Sequence, residues 1–410
     1  MNSLKKIMYT CILFLSLIPQ VITEELSSEK NFIKKENYKI DEILDNGVYT
    51  VSLTKLNLDI IVEGHTGSGL IINILSSNKS YSRLEKSKNR ILIVQDKENK
   101  ILNINPNHEN DQPYNFDKIE IKIPKNINIH LNKCNGDVFI NDLIGGIKIE
   151  SHVGKIEGKK LTGDVKILSS GGKINIYNSK VFLKAHLEGN DIFLNNINGK
   201  ANISTSGGNI IIDTFHGDII SQTIGGLVKI KDIEAKTINC KTSYGNIEAT
   251  KINARVILSS QNGSIILNET KGNVEISSQN GDLQIINCAD ELICNTYNGD
   301  IFIKQMTGSV DAKSIRGNIK LHLNYSSSIK KYHYSLETND GNIDINMPKQ
   351  LSISLSSLIE GNRTTQDITS DIPLQFKFKE NKIEGYAVIN GGTIPMLLNS
   401  KNGFISIKSY

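Results

Sequence analysis

Along residues 263 to 319 the apolar and polar positions obey one rule: a glycine, a polar residue, then apolar residues two and four places after the glycine. The rule is met at Gly263-Ser-Ile-Ile-Leu, Gly272-Asn-Val-Glu-Ile, Gly281-Asp-Leu-Gln-Ile, Gly299-Asp-Ile-Phe-Ile, Gly308-Ser-Val-Asp-Ala and Gly317-Asn-Ile-Lys-Leu. These glycines stand nine residues apart, or eighteen where Asp290 replaces one and Leu292 and Cys294 keep the apolar places. Alternation with period two predicts a short strand, and the glycine marks the tight turn that launches it. A fixed period of this size, repeated many times, predicts a β-solenoid.

The same beat begins at Gly136 and recurs at Gly145, Gly154, Gly163, Gly172, Gly199, Gly208, Gly217, Gly226 and Gly245, with a one-residue slip between the last two. Val181, Asn190, Lys236 and Ala254 replace the glycine and keep the apolar pair. No proline falls between residues 125 and 347, as uninterrupted parallel ladders require. Alternate beats differ, so the coil is eighteen residues with two corners. One corner carries Ile197, Phe215, Ile233, Ile252, Cys288 and Met306 and turns inward; the other reads Ser259-Ser-Gln-Asn262, Ser277-Ser-Gln-Asn280 and Asn295-Thr-Tyr-Asn298 and faces water. Residues 136 to 321 then make about ten coils, on the order of 50 Å of stack at the usual strand spacing.

The flanks alternate without the beat. Val48 to Val62, Leu70 to Leu75, Arg90 to Val94, Ile101 to Ile104 and Lys118 to Ile123 read as antiparallel strands that cover the first coil. After Leu321 the beat breaks at Asn324 to Lys331, returns at Gly341 and ends at Pro348. Leu351 to Leu355, Leu374 to Phe378, Tyr386 to Ile389 and Gly403-Phe-Ile-Ser-Ile read as a terminal cap, with Phe376, Phe378 and Tyr386 as its bulk.

Lys5 and Lys6 followed by the apolar run Ile7 to Leu17 predict a secretory signal over residues 1–23, cut near Glu24, and hence an exported protein of the periplasm or cell surface. Residues 24–45 are charged and predict a mobile leader. The resulting division is 1–23 signal, 24–45 leader, 46–133 N-terminal β region, 134–321 β-helix repeats and 322–410 C-terminal β-helix end and cap. The formal charge of +4 falls to about +2 without Lys5 and Lys6, too balanced to argue for nucleic acid. After the signal no apolar run is long enough to span a bilayer. Cys240 and Cys294 lie 54 residues, or three coils, apart; at about 4.8 Å per coil that is beyond disulfide reach. Cys288 and Cys294 flank one turn, and their pairing stays open.

The chemistry is sparse. A period of nine invites comparison with the calcium-binding nonapeptide, but Gly171-Gly172 and Gly207-Gly208 are followed by Ile174 and Ile176, and by Ile210 and Ile212, where that motif needs Gly and Asp. The eight histidines share no ligand spacing, and no GxSxG, Walker or Rossmann pattern opens a helix. No metal or cofactor is expected. Asp282 and Asp300 follow their glycines one coil apart, the placement of a paired-acid glycan-cleaving site; Asn209, Asn246, Asn273, Asn318 and Ser264 fill the same place as plain turn formers. The polar corner is the remaining candidate: Tyr244, Gln261, Asn262, Gln279, Asn280, Tyr297 and Asn298 would form an extended face for a glycan or an envelope protein.

Lys122-Ile-Pro-Lys-Asn126, Cys134-Asn-Gly-Asp-Val, the repeated Gly-Asp/Asn-Ile beats and Asp340-Gly-Asn-Ile-Asp-Ile-Asn-Met-Pro348 together resemble the bacterial putative-adhesin family of exported β-helix repeat proteins. The resemblance spans roughly residues 48 to 410. It implies a parallel, right-handed β-helix and an adhesive role, and it brings no catalytic residues to carry over. The expectation is an all-β, non-enzymatic binding or scaffolding protein; the alternative is a lyase or hydrolase built on Asp282 and Asp300.

Overall fold

The computed structural model describes residues 20–24, 32–41, 43, 49–77, 91–106, 118–325, 332–361 and 364–410. Within these the chain is almost entirely strand; the helical element described is the single turn Thr365–Asp367. No helix among the described residues is long and apolar enough to cross a membrane. The expected signal core, Cys11 included, lies outside the described residues, as do residues 107–117 and 326–331 of the expected loops. Two units are distinguished, Met1–Leu187 and Glu188–Tyr410.

In the first unit the repeats pair in parallel at an offset of one eighteen-residue coil. Val138–Asn141 pairs with Ile156–Lys159 and this with Ile174–Leu187 on one face; Ile147–Val153, Thr162–Ser169 and the far half of Ile174–Leu187 follow one another on the opposite face. The apolar pair of each beat points inward, so Val138, Ile140, Ile156, Val165, Ile167 and Ile174 are buried.

The flanking strands depart from the expected antiparallel cap. Thr50–Thr54 and Asp59–His65 are parallel to the repeats, placing Val51 and Leu53 against Ile129 and Leu131, and Ile60 and Val62 against Val138 and Ile140. They carry the same two-apart apolar pair as the repeats and therefore stack as a further coil. Ile101–Pro106 and Lys118–Pro124 then lie outside that coil, although they follow it in sequence. Antiparallel pairing is confined to the outermost strands: Gln20–Glu24 with Phe32–Ile40, Phe32–Ile40 with Leu70–Ser77, the latter with Lys118–Pro124, and Ile91–Asp96 with Ile101–Pro106. Phe32–Ile40 was expected in the mobile leader. It is a strand because Tyr38 and Ile40 alternate inward and, with Ile43, are buried.

In the second unit two in-register columns make the core. Ile192, Ile210, Val228, Ile247, Ile265, Leu283, Ile301, Ile319, Ile343 and Ile405 succeed one another on one face. Ala201, Ile219, Ile238, Val256, Val274, Leu292, Val310, Tyr334 and Met396 do so on the other. The one-residue slip is absorbed by an extra residue between Glu234 and Thr237. Between the two faces the chain bends through residues of positive φ, among them Asn196, Thr214, Asp232, Lys251, Glu269 and Asn287. The following residues, Ile197, Phe215, Ile233, Ile252, Thr270 and Cys288, then stack in register and are buried, the inward corner expected from the pattern.

The C-terminal end is again out of chain order. Ile394–Ser400 and Ile405–Ser409 sit directly on Tyr334–Thr338 and Ile343–Met347, and the earlier strands Ile353–Glu360 and Ile368–Ser370 lie outside them. The hairpin Gln375–Lys379 with Lys382–Ile389 hangs from Ile353–Glu360. Phe376, Phe378 and Tyr386, expected to fill the cap, are exposed, Phe378 by 63%. The pleat sends Phe376 and Phe378 to the same side as Ile383, which is buried, but they stand on the edge strand, whose one described partner is Lys382–Ile389. Cys240, Leu258, Ile276 and Cys294 stand in one column, so Cys240 and Cys294 are three coils apart; Cys134, Cys240, Cys288 and Cys294 are all free and buried. Cys288 and Cys294 are thus unpaired.

Candidate functional site

The outer corner of the second unit is built by glycine. A Cβ on Gly245 would lie 1.8 Å from the Gly226 carbonyl oxygen, so only glycine lets successive coils approach this closely. Three residues before each glycine a hydroxyl turns inward. Thr223 donates to the Gly208 carbonyl at 2.9 Å and accepts from Gly226 N–H at 3.1 Å, and Ser260 does the same with the Gly245 carbonyl and Gly263 N–H, at 3.1 and 2.8 Å. Ser278, Thr296, Ser314 and Thr338 repeat the bond to the carbonyl of the preceding coil. The pattern suggested that this whole corner faces water; instead one residue in each corner is buried and ties its coil to the one before.

The residues that do face water form ladders. Asn280 Nδ2 donates to Asn262 Oδ1 at 2.7 Å, and Asn298 Nδ2 to Asn280 Oδ1 at 2.8 Å. Main-chain bonds continue through the corner, from Asn280 N–H to Gln261 O at 2.9 Å and from Asn298 N–H to Gln279 O at 3.0 Å. On the far side of the glycines Asp282 Oδ1 accepts Asp300 N–H at 2.9 Å, and Asp300 Oδ1 accepts Asn318 N–H at 2.7 Å. Asn246 and Asn318 make the same bond to the coil that follows. The adjacent-coil placement of Asp282 and Asp300 is therefore real, and each carboxylate is engaged by backbone in the role that asparagine fills elsewhere in the column.

Beside the asparagine ladder runs an open groove of about 430 Å³. One bank is Ser259, Ser277, Asn295 and Lys313, which stand in register, and the other is Gln261, Gln279, Tyr297 and Ile315, with the buried hydroxyls between them. Of the residues singled out from sequence, Gln261, Gln279 and Tyr297 line the groove, while Asn262, Asn280 and Asn298 form the ladder at its rim. Tyr244 does not join Tyr297: it immediately precedes its glycine, as Asn262 does, whereas Tyr297 precedes its glycine by two and falls in the Gln261 column. Both rings are exposed, by 66% and 47%. Sequence reasoning missed Lys313, Ile315 and Arg316, because this corner reads Lys-Ser-Ile-Arg and lacks the amide signature. Its fixed offset from Gly317 was the available signal. Arg316 places its guanidinium 5.7 Å from the Tyr297 ring centroid, and Lys313 Nζ lies 3.0 Å from Glu337 Oε1. No group of His, Cys, Asp or Glu among the described residues is arranged to hold a metal ion.

No curated protein matches the chain. Among solved structures, one described as a "putative cell adhesion protein" from Clostridium sporogenes is 10% identical, with 93% of this chain and 100% of that chain covered and a TM-score of 0.16. One described as a "Putative lipid binding protein" from Parabacteroides distasonis is 12% identical over 91% and 96%, also with a TM-score of 0.16. Overlap at that level bears on neither fold nor ligand. Residues 211–408, which contain most of the second unit and the whole groove, match the family described as Toastrack DUF4097.

Proposed function

We propose that this chain is an exported, non-enzymatic cell-envelope protein, a binding or scaffolding protein of adhesin type, that holds an extended glycan along the groove of its polar corner. In this reading the signal is removed near Glu24, the mature chain resides in the periplasm or at the cell surface, and residues 134–321 wind as a right-handed parallel β-helix on the order of ten coils long. The groove carries the reading: it is open, lined chiefly by hydroxyl and amide groups at strand spacing with Tyr297, Ile315 and one cation, Lys313, at one end, and held by a corner whose backbone is paired from coil to coil. Rigid repeats of short polar groups with an aromatic ring suit a polymer of repeated hydroxyls. The engagement of Asp282 and Asp300 by backbone N–H supports a structural role for both.

The test is a panel of immobilised envelope glycans, neutral and charged, probed with the mature protein and with Gln279→Ala/Tyr297→Ala. Binding to at least one class is expected, weakened about tenfold or more in the double variant, with an unchanged melting temperature. Absence of binding across the panel, or binding indifferent to the double variant, refutes the reading.

A further inference from the structure

The groove also points to the charge of its occupant. We infer that it takes a carboxylate-bearing polysaccharide, a polyuronate strand lying along the stack; this rests on the groove reading above. No acid lines the groove, and Lys313 is the one charged residue that does. Beside it the Arg316 guanidinium lies over the Tyr297 ring, 5.7 Å from its centroid, a bidentate carboxylate donor held against an aromatic face. Lys241 stands in register with Ser259 at the other end, so cations bracket the neutral stretch Ser259, Ser277 and Asn295.

Of the neighbouring acids, Asp282 and Asp300 accept backbone N–H groups and Glu337 pairs with Lys313, while Glu275 and Asp311 stand exposed two residues before Ser277 and Lys313, outside the groove lining. A peptide strand is a poor occupant. The corner's own N–H and C=O groups are paired from coil to coil, as between Asn280 and Gln261 and between Asn298 and Gln279, and leave no edge for strand addition. A polymer that binds through side-chain hydroxyls and carboxylates needs no such edge.

Calorimetry with oligogalacturonate and with its methyl ester, the same chain without charge, tests the proposal on the full mature protein. The acid form is expected to bind at least about fivefold more tightly than the ester, with the gap closing as salt is raised. Arg316→Gln and Lys313→Gln should each lower affinity for the acid form about fivefold. Glu337→Gln, which releases Lys313, should raise it. All three residues are at the surface, and melting temperatures should not move. Equal binding of acid and ester, or no binding of the acid form, overturns the proposal while the glycan panel still decides the groove reading. Acid binding that ignores Gln279→Ala/Tyr297→Ala lies elsewhere on the molecule and overturns both.

Discussion

Thr223 and Thr270 are the same residue at nearly the same exposure, 1% and 2%, yet valine at the two positions should move stability in opposite directions. The Thr223 hydroxyl joins two coils, donating to the Gly208 carbonyl at 2.9 Å and accepting from Gly226 N–H at 3.1 Å. Valine matches its volume but strands both backbone groups in a buried corner, at about 1–3 kcal/mol each. Allowing about 0.8 kcal/mol for the added apolar group, the net loss is roughly 1–5 kcal/mol. Thr270 occupies the inward corner between Ile252 and Cys288, and its hydroxyl finds no partner. Valine there removes a desolvated group with nothing to lose and should gain about 1–3 kcal/mol. For a unit of this size each kcal/mol shifts the melting temperature by roughly 2–4 °C, so calorimetry separates the two variants easily. Amide exchange at Gly226 should quicken in Thr223→Val alone. If both substitutions shift melting the same way, the hydroxyl ladder is not what ties the coils. If Thr270→Val destabilises, its hydroxyl has a partner after all.

Two further outcomes follow from packing and burial. Gly245→Ala brings its Cβ to 1.8 Å from the Gly226 carbonyl oxygen and should cost about 3 kcal/mol, whereas at Gly189 an added Cβ meets nothing within 4 Å and the change should stay within about 0.5 kcal/mol; the shift in urea midpoint measures both, and equal shifts would show that close approach does not dictate the glycine. Burial pushes the Cys134 thiol up to about 11 and those of Cys240 and Cys288 up to about 12, from an ordinary value of 9.0. The folded state therefore holds these protons more tightly than the unfolded state, so their contribution to stability is constant below 9.0 and falls as pH rises toward about 12. Urea melts across that window should show a steeper decline than in Cys240→Ala, and near neutral pH the native thiols should resist alkylation. Rapid labelling without unfolding would contradict their burial.

What the sequence determined by itself is the interior of each coil. A period of two inside a period of eighteen dictates that Leu283 and Ile285, or Val274 and Ile276, point inward, that glycine stands at the close approach, and even that one residue is surplus between Gly226 and Gly245. All of this depends on neighbours a few residues away. What lies across coils was not legible. The sequence contains Ser278 and Asn280 as similar polar residues of one corner; only the carbonyl of Gly263 in the coil before makes the first a buried tie and leaves the second at the surface. The same distinction separates Tyr244 from Tyr297 and assigns Asp282 and Asp300 to backbone N–H groups. Chain order was hidden too. Strands with the same apolar spacing are interchangeable partners, so the alternation around Val51 and Ile60, which reads as antiparallel strands, and that around Ile405, which reads as a cap, says neither that a coil forms there nor where it stacks. Tertiary structure settles that, because end strands compete for the same exposed ladder and the winner is decided by long-range register and burial.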